Sequence, residues 1–261
     1  MAEDAKTPGH ILITGAAKRM GRAFARTFGA AGWFVTIHVN TSLGEAADTL
    51  EEVKKAGGDG RILAFDLTDF SAYDAFFEKL AADSPPLTAL INNASMFEYD
   101  EAWTSEPATL EKHFHVNAAA PILLSRRFAE LVRDRGGEGV IVNMLDNKVF
   151  APNPDYFSYS ISKYALLGAT ELMAMALAPH VRVCGIAPGV TFVSGVQSDD
   201  DYEETKAMNP LKRAIEVEDI CRTARFIVES RTLNGEVITV DGGQKLMKLE
   251  RDVAFMTERQ K

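Results

Sequence analysis

Several things are scarce in this chain, and each scarcity narrows the possibilities. It has two cysteines in 261 residues, Cys184 and Cys221. They lie far apart and outside any metal-ligand spacing. That argues against a disulfide scaffold or a cysteine metal centre and points to two buried thiols in a reducing compartment. His113 and His115 have no metal-ligand partners either, so no metal is expected. There is no block of Lys and Arg, and the net charge is −9, which argues against a nucleic-acid or anionic-membrane partner. Long apolar runs are missing too. The most apolar long stretch, Tyr164 to Pro179, carries Glu171 and is too short to span a bilayer. The opening MAEDAKTPGHILITG is acidic and has no positive region followed by an apolar one, so no signal peptide is expected. Together these features predict a soluble cytoplasmic protein.

What is present is a sizeable core and a regular pattern. Apolar residues make up 46% and charged residues 25%, ordinary globular values. The length suits a single α/β domain spanning 1–261. Short apolar runs at 10–14, 34–39, 61–65, 89–92, 139–144, 181–187 and 236–240 read as strands. Amphipathic patterns at 21–31, 43–57, 71–82, 107–134, 156–178 and 216–229 read as helices. The alternation predicts a single Rossmann-like, doubly wound parallel sheet of about seven strands with helices on both faces. A non-periodic, acidic stretch at 188–213 follows a strand tip and is expected to be a substrate loop. The end of the chain, 244–261, forms a tail beyond the last strand.

The first turn, TGAAKRMGRAFA at 14–25, runs from a strand through glycine into a helix. Free backbone N–H groups and the helix dipole there make an anion site suited to a pyrophosphate. Gly15 permits the tight turn and Gly21 a close approach of helix and strand. The pattern is not G-x-G-x-x-G. Lys18 and Arg19 sit in the turn, and the second strand ends IHVNTS with no acid at its tip. An acid there would bind a ribose 2′-hydroxyl and repel a 2′-phosphate. Its absence, with Asn40, Thr41 and Ser42 as donors, favours NADP(H) over NAD(H).

Further along, Tyr159 and Lys163 are one helical turn apart and share a face. A neighbouring ammonium is expected to lower the tyrosine pKa from its usual value of about 10. Asp146 lies thirteen residues before the tyrosine.

The motifs TGAAKRMG (14–21), FDL (65–67), NNAS (92–95), HVN (115–117), YSISK (159–163), APG (187–189) and VDGG (240–243) occur in one order. With them the sequence resembles the short-chain dehydrogenase/reductase family over about residues 10–246. The resemblance implies a catalytic set that includes Asn117, Tyr159 and Lys163. It implies cofactor contacts from Gly15, Lys18, Arg19, Met20, Gly21, Asn40, Ser42, Asp66, Leu67, Asn93, Ala94, Ser95, Tyr159 and Lys163. Pro188, Gly189, Val190 and Thr191 are implied near the nicotinamide. The family usually assembles as tetramers, so the resemblance implies a homotetramer.

Two positions depart from the common family pattern. Asp146 stands where a serine is usual, and Arg19 where the middle glycine of TGxxxGxG is usual. Both departures resemble the pteridine reductases and the related dihydromonapterin and dihydrofolate reductases. That subgroup has TGxxxRxG, an Asp–Tyr–Lys set, and an aromatic residue after NNAS, here Phe97. The resemblance implies a pterin-like substrate held by Arg19, Ser95, Phe97, Asp146 and Tyr159. A carboxyl can deliver the proton that C=N reduction needs at nitrogen, for which a serine hydroxyl is a poor acid. Burial is expected to raise the Asp146 pKa, with Lys163 opposing. Two other functions remain open at this point: a reductase of a small or acyl-linked ketone, and a cofactor-binding protein that has lost catalysis. In the tail, Leu246, Leu249, Val253, Phe255 and Met256 are expected to pack on a neighbouring subunit or near its site, or else to form a frayed end.

Overall fold

The computed structural model describes residues 9–193 and 198–257. Seven parallel strands form one sheet: β1 (His10–Ile13), β2 (Phe34–Val39), β3 (Asp59–Ala64), β4 (Leu87–Asn92), β5 (Gly139–Met144), β6 (Val181–Pro188) and β7 (Val237–Val240). Their order is β3-β2-β1-β4-β5-β6-β7. The expected doubly wound sheet is therefore present.

Side-chain alternation along the strands sorts two cores. Ile11, Ile13, Ala89, Ile91, Val140 and Val142 face one side, where helices α1 (Arg19–Ala30), α2 (Leu43–Lys55) and α8 (Val217–Glu229) cover them with Phe24, Phe28, Val53, Ile220 and Ile227. Leu12, Leu90, Ile141 and Val183 face the other side. There α3 (Tyr73–Ala81), α5 (Ala120–Asp134) and α6 (Phe157–Ala176) supply Phe76, Phe77, Leu80, Leu124, Phe128 and Ala174. Cys184 and Cys221 are free and buried, both in the first core. Among the described residues no helix is long and apolar enough to cross a membrane.

Two stretches differ from the periodicity reading. The pattern at 107–134 is α4 (Pro107–Phe114) and α5 joined by a π-helical turn at His115–Ala119. Pro121 has no N–H to return to the carbonyl of Asn117 four residues back. The preceding amide, Ala120, instead reaches His115. The stretch 188–213 holds a short helix, α7 (Asp199–Thr205), and its residues 194–197 lie outside the described residues. Ser198 and Asp201 form a reciprocal capping box, and three acids occupy the first turn. Capping and dipole chemistry therefore make this helix, with little apolar period to announce it.

Phe128 is fully buried between α5 and the sheet. Phe128→Ala is expected to lower unfolding stability by about 3–5 kcal/mol. Urea denaturation checks this, and a loss under about 1 kcal/mol would mean that the core collapses into the space.

Candidate active site

Between the tips of β1, β4, β5 and β6 lies a cavity of about 540 Å³. Its floor at β1 is the glycine turn. Gly15 has φ +63°, and a Cβ there would sit 3.0 Å from Ala94 Cα. A Cβ on Gly21 would meet the Gly15 carbonyl oxygen at 2.3 Å and Ala16 Cα at 2.7 Å, so the close approach needs glycine. The segment after β4 clamps this turn. Thr14 Oγ1 accepts from the backbone N–H of Asn93 and of Ala94, both at 2.9 Å. The Asn93 amide donates to the carbonyls of Thr14 at 2.8 Å and Gly15 at 3.2 Å. The first amide of α1 to pair with a carbonyl one turn back is that of Arg22, to Lys18. The amides of Arg19, Met20 and Gly21 precede it and have no intrahelical carbonyl. Lys18, at the N-cap, makes no capping side-chain bond. These amides could hold a phosphate group.

Arg19 occupies the left-handed region, φ +51°, which explains why glycine is usual there: a side chain in that region costs about 1–2 kcal/mol. Its guanidinium donates to the Val193 carbonyl at 2.9 Å and lies 5.0 Å from the centre of the Phe192 ring. It thus ties the first turn to the loop after β6. Lys18 pairs with Glu45 at 2.5 Å, both half-exposed.

On the opposite wall Asp146 follows β5. Its Oδ1 accepts from the Lys148 N–H at 2.9 Å, capping the short 3₁₀ turn Asn147–Val149. Its Oδ2 accepts from the Tyr159 hydroxyl at 2.7 Å. Lys163 donates to the Met144 carbonyl at 2.7 Å, and its ammonium is 5.6 Å from the centre of the Tyr159 ring. Burial raises the Asp146 pKa, and the Lys148 charge and the two hydrogen bonds only partly oppose it. Lys148 is the first cation opposing the rise, and Lys163, which interacts with the Asp146 charge, acts in the same sense as expected. Tyr159 corrects one expectation. Its pKa is raised well above the ordinary value, by burial first and then by the Asp146 carboxyl that accepts its proton. Lys163 turns to a backbone carbonyl, and burial holds its own pKa down to about 8.

Phe97 lines the cavity. It stacks on Tyr156 with centroids 4.1 Å apart and meets the Tyr159 ring edge-on at 4.6 Å. Asn117 is fully buried behind this wall. Its amide accepts from the Met96 N–H at 2.7 Å and the Ser95 hydroxyl at 3.2 Å. It donates to the Met96 carbonyl at 2.9 Å and to Ser162 at 3.0 Å. Asn117 thus bolts the segment carrying Ser95 and Phe97 to the helix carrying Tyr159. The π-helical turn is what aims it there.

Sixteen of the expected site residues line the cavity together: Gly15, Lys18, Arg19, Met20, Gly21, Asn93, Ala94, Ser95, Phe97, Asp146, Tyr159, Lys163, Pro188, Gly189, Val190 and Thr191. Asn117 backs the wall. Asn40, Ser42, Asp66 and Leu67 follow β2 and β3 and do not line it. Asp66 accepts from the Thr68 N–H and hydroxyl, each at 2.8 Å. His113 is structural: its Nδ1 meets the Thr109 carbonyl at 2.9 Å and its Nε2 accepts from the Glu98 N–H at 3.1 Å. Among the described residues no cluster could hold a metal ion.

The sequence did not single out Lys148, Phe192, Gln244 or Asp252, all of which line the cavity. Gln244 could have been found from the adjoining VDGG turn, since Gly189 packs against Gln244 and Asp241. Lys148 stands two residues from Asp146. Nothing local marks Asp252. The tail does not pack as a frayed end: Leu249 and Val253 line the cavity of their own chain, and Val253 and Ala254 are buried. Residues 258–261, part of the expected tail, lie outside the described residues, as do 1–8.

Comparison with known proteins agrees with this geometry. The family model described as short chain dehydrogenase matches residues 9–204. An uncharacterized oxidoreductase of Thermotoga maritima is 30% identical over 244 residues, covering 89% of this chain and 96% of that protein. A dihydromonapterin reductase of Enterobacter sp. is 28% identical over 241 residues, covering 90% and 96%. The crystal structure of FolM alternative dihydrofolate reductase 1 from Brucella canis, complexed with NADP, superposes with a TM-score of 0.84 at 34% identity, covering 92% of this chain and 95% of that one. With its parallel sheet, its glycine turn and its tyrosine and lysine in one cavity, the chain belongs to the short-chain dehydrogenase family of oxidoreductases.

Proposed function

We propose that this protein is an NADP(H)-dependent reductase of a C=N bond in a pterin or folate-like ring. The observation that carries the reading is the hydrogen bond between the Tyr159 hydroxyl and Asp146 Oδ2 in the cavity wall. A carboxyl there suits protonation of a ring nitrogen, whereas an ionised carboxylate would repel the charge that develops on a ketone oxygen. Arg19 and Phe97 line the same cavity. The relatives named as dihydromonapterin reductase and alternative dihydrofolate reductase, the latter complexed with NADP, support the same substrate and cofactor class.

The Gly15 turn and the first amides of α1 would hold the pyrophosphate, and Lys163 with Tyr159 the nicotinamide ribose. Lys18, Arg19, Asn40 and Ser42 would meet the 2′-phosphate, and Asp66 and Leu67 the adenine. Asn93, Ala94 and Ser95 would run along the cofactor, with Pro188 to Thr191 at its carboxamide. The bound nicotinamide supplies hydride. Asp146 in its acid form would supply the proton directly or through water, with the Tyr159 hydroxyl donating to its Oδ2 and holding it in the wall, and Asn117 would keep Ser95 and Phe97 in place. The free thiols Cys184 and Cys221 accord with a cytoplasmic location. Phe114 on α4 and Ile161, Leu172 and Met175 on α6 are exposed, which supports burial against other copies in a homotetramer.

The direct test follows NADPH oxidation with dihydrobiopterin, dihydromonapterin and dihydrofolate beside a panel of ketones, repeated with NADH. Turnover of a pterin with NADPH preferred is expected, and turnover of ketones alone would sink the reading. Asp146→Ser separates the two. It should reduce pterin turnover by about 10²–10⁴-fold, whereas in a ketone reductase it would leave or improve carbonyl reduction. Tight NADPH binding with no turnover across the whole panel would mark a protein that has lost catalysis.

The pH dependence has a definite sign. The Asp146 pKa is raised, so the active acid form is complete below that raised value and is lost as pH rises through it. The Lys163 ammonium is lost in turn above about 8. kcat/KM, which reports groups of the free enzyme, should therefore fall toward alkaline pH and show no acid limb between about pH 5 and 8. A profile that rises through that window would mean that carboxylate is the working form.

A further inference from the structure

Beyond the matched family segment, which ends at residue 204, the chain returns to its own cavity. The anchor is Asp155, whose side chain is 2% exposed. Arg251 grips it with Nε at 2.9 Å from both carboxylate oxygens and Nη2 at 2.7 Å from Oδ1. The Asp252 N–H adds a bond to Oδ2 at 2.6 Å.

Two lines of contact run from there to the site. In the first, Asp252 Oδ2 pairs with the Lys148 ammonium at 2.6 Å, with the lysine side chain 6% exposed. That ammonium also donates to Asn153 at 2.7 Å, and the Lys148 backbone N–H donates to Asp146 Oδ1. In the second, the Phe255 ring lies 6.1 Å from that of Tyr156, which stacks on Phe97.

We infer that residues 249–257 form a strap that closes the substrate end of their own chain's cavity, and that Asp252 is a positioning residue acting through Lys148 on Asp146. The role assigned to Asp146 rests on the proposed function; the strap itself does not.

The groups facing the Asp146 carboxyl are Lys148 on its own turn, Tyr159 and Lys163 on α6, and Asp252 on the strap. Lys148 favours the charged form and Asp252 opposes it. Removing each should therefore move Asp146 in opposite directions. A role confined to packing would move it in neither direction, or in the same direction for both.

The experiment titrates the Asp146 carboxyl by ¹³C NMR of aspartate-labelled protein, assigned with Asp146→Asn, and records kcat/KM against pH with whichever substrate is turned over. Asp252→Asn should shift the Asp146 titration and the alkaline limb of kcat/KM to lower pH, and Lys148→Met should shift both to higher pH. Asp252→Asn should also lower kcat by about 10–100-fold through misplacement of the acid, with NADPH affinity changed less than about twofold because the strap lies at the substrate end. Should Asp252→Asn not fold, Lys148→Met/Asp252→Leu removes both charges without leaving either unpaired, and its titration should return toward the wild type.

The carboxyl titration needs no substrate, so it decides this inference even if no pterin is reduced. Shifts of one sign, or none, would overturn the positioning role. The strap is read separately by amide hydrogen exchange. The amides of Asp252 and Ala254 should be protected in the wild type and exposed in Asp155→Ala; fast exchange in the wild type would overturn the strap.

Discussion

β1 is bonded to β2 on one side and to β4 on the other, so the segments leaving neighbouring strand tips diverge and open a crevice at the carboxyl edge of the sheet. Every element of the site is placed by that divergence. The glycine turn leaves β1, the NNAS segment leaves β4, Asp146 leaves β5 and the Pro188–Gly189 turn leaves β6. The crevice would gape without cross-links, and Thr14 and Asn93 supply them. One threonine hydroxyl accepts two amides from the neighbouring segment, and one asparagine amide returns two bonds to the turn. Gly15 is then required because those bonds draw its backbone onto Ala94, and Gly21 because α1 starts hard against the turn at Gly15 and Ala16.

Inside the crevice, burial outweighs the nearby charges. Two unit charges 4 Å apart interact by about 4 kcal/mol at an effective dielectric of about 20, while full burial of an ionisable group shifts its pKa by up to about 3–5 units. Lys163 does not win that contest: its ammonium is turned to the Met144 carbonyl, and burial and Asp146 set the Tyr159 shift. The phenol therefore stays protonated and rests on a carboxyl that is itself pushed toward its acid form. The pKa of each member of the pair is raised, and the two titrate as one coupled system.

Much of this was legible in the sequence because it depends on local patterns. The seven strand segments follow from short apolar runs, and sixteen cavity residues follow from motifs at or after strand tips and at the start of α6. What was not legible depends on chemistry between distant residues. The π-helical turn that aims Asn117 depends on Pro121, which a purely apolar period treats as one more helical position. Helix α7 is made by Ser198, Asp201 and neighbouring acids, so it has almost no apolar signature. The direction of the Tyr159 pKa shift depends on where the Lys163 side chain ends, which spacing along a helix does not determine. Asp252 lies more than a hundred residues from Asp146 in a segment that carries no motif, and only the fold brings the two together.

The strap's partners and Asp146 share one stretch of chain. Asp146, Lys148, Asn153 and Asp155 all lie between β5 and α6, and every polar partner of Arg251 and Asp252 traced above belongs to that stretch or to the strap. A buried ion pair is a weak source of stability, because desolvation of both ions offsets most of their attraction. Losing one partner is costly, since it leaves the other charge buried and unpaired. The Lys148–Asp252 pair therefore adds little to the fold while it is intact, yet it penalises any arrangement in which the strap is away. That asymmetry couples closure of the cavity to the charge balance around Asp146. Asp146 keeps these surroundings only with the wall beside it in place.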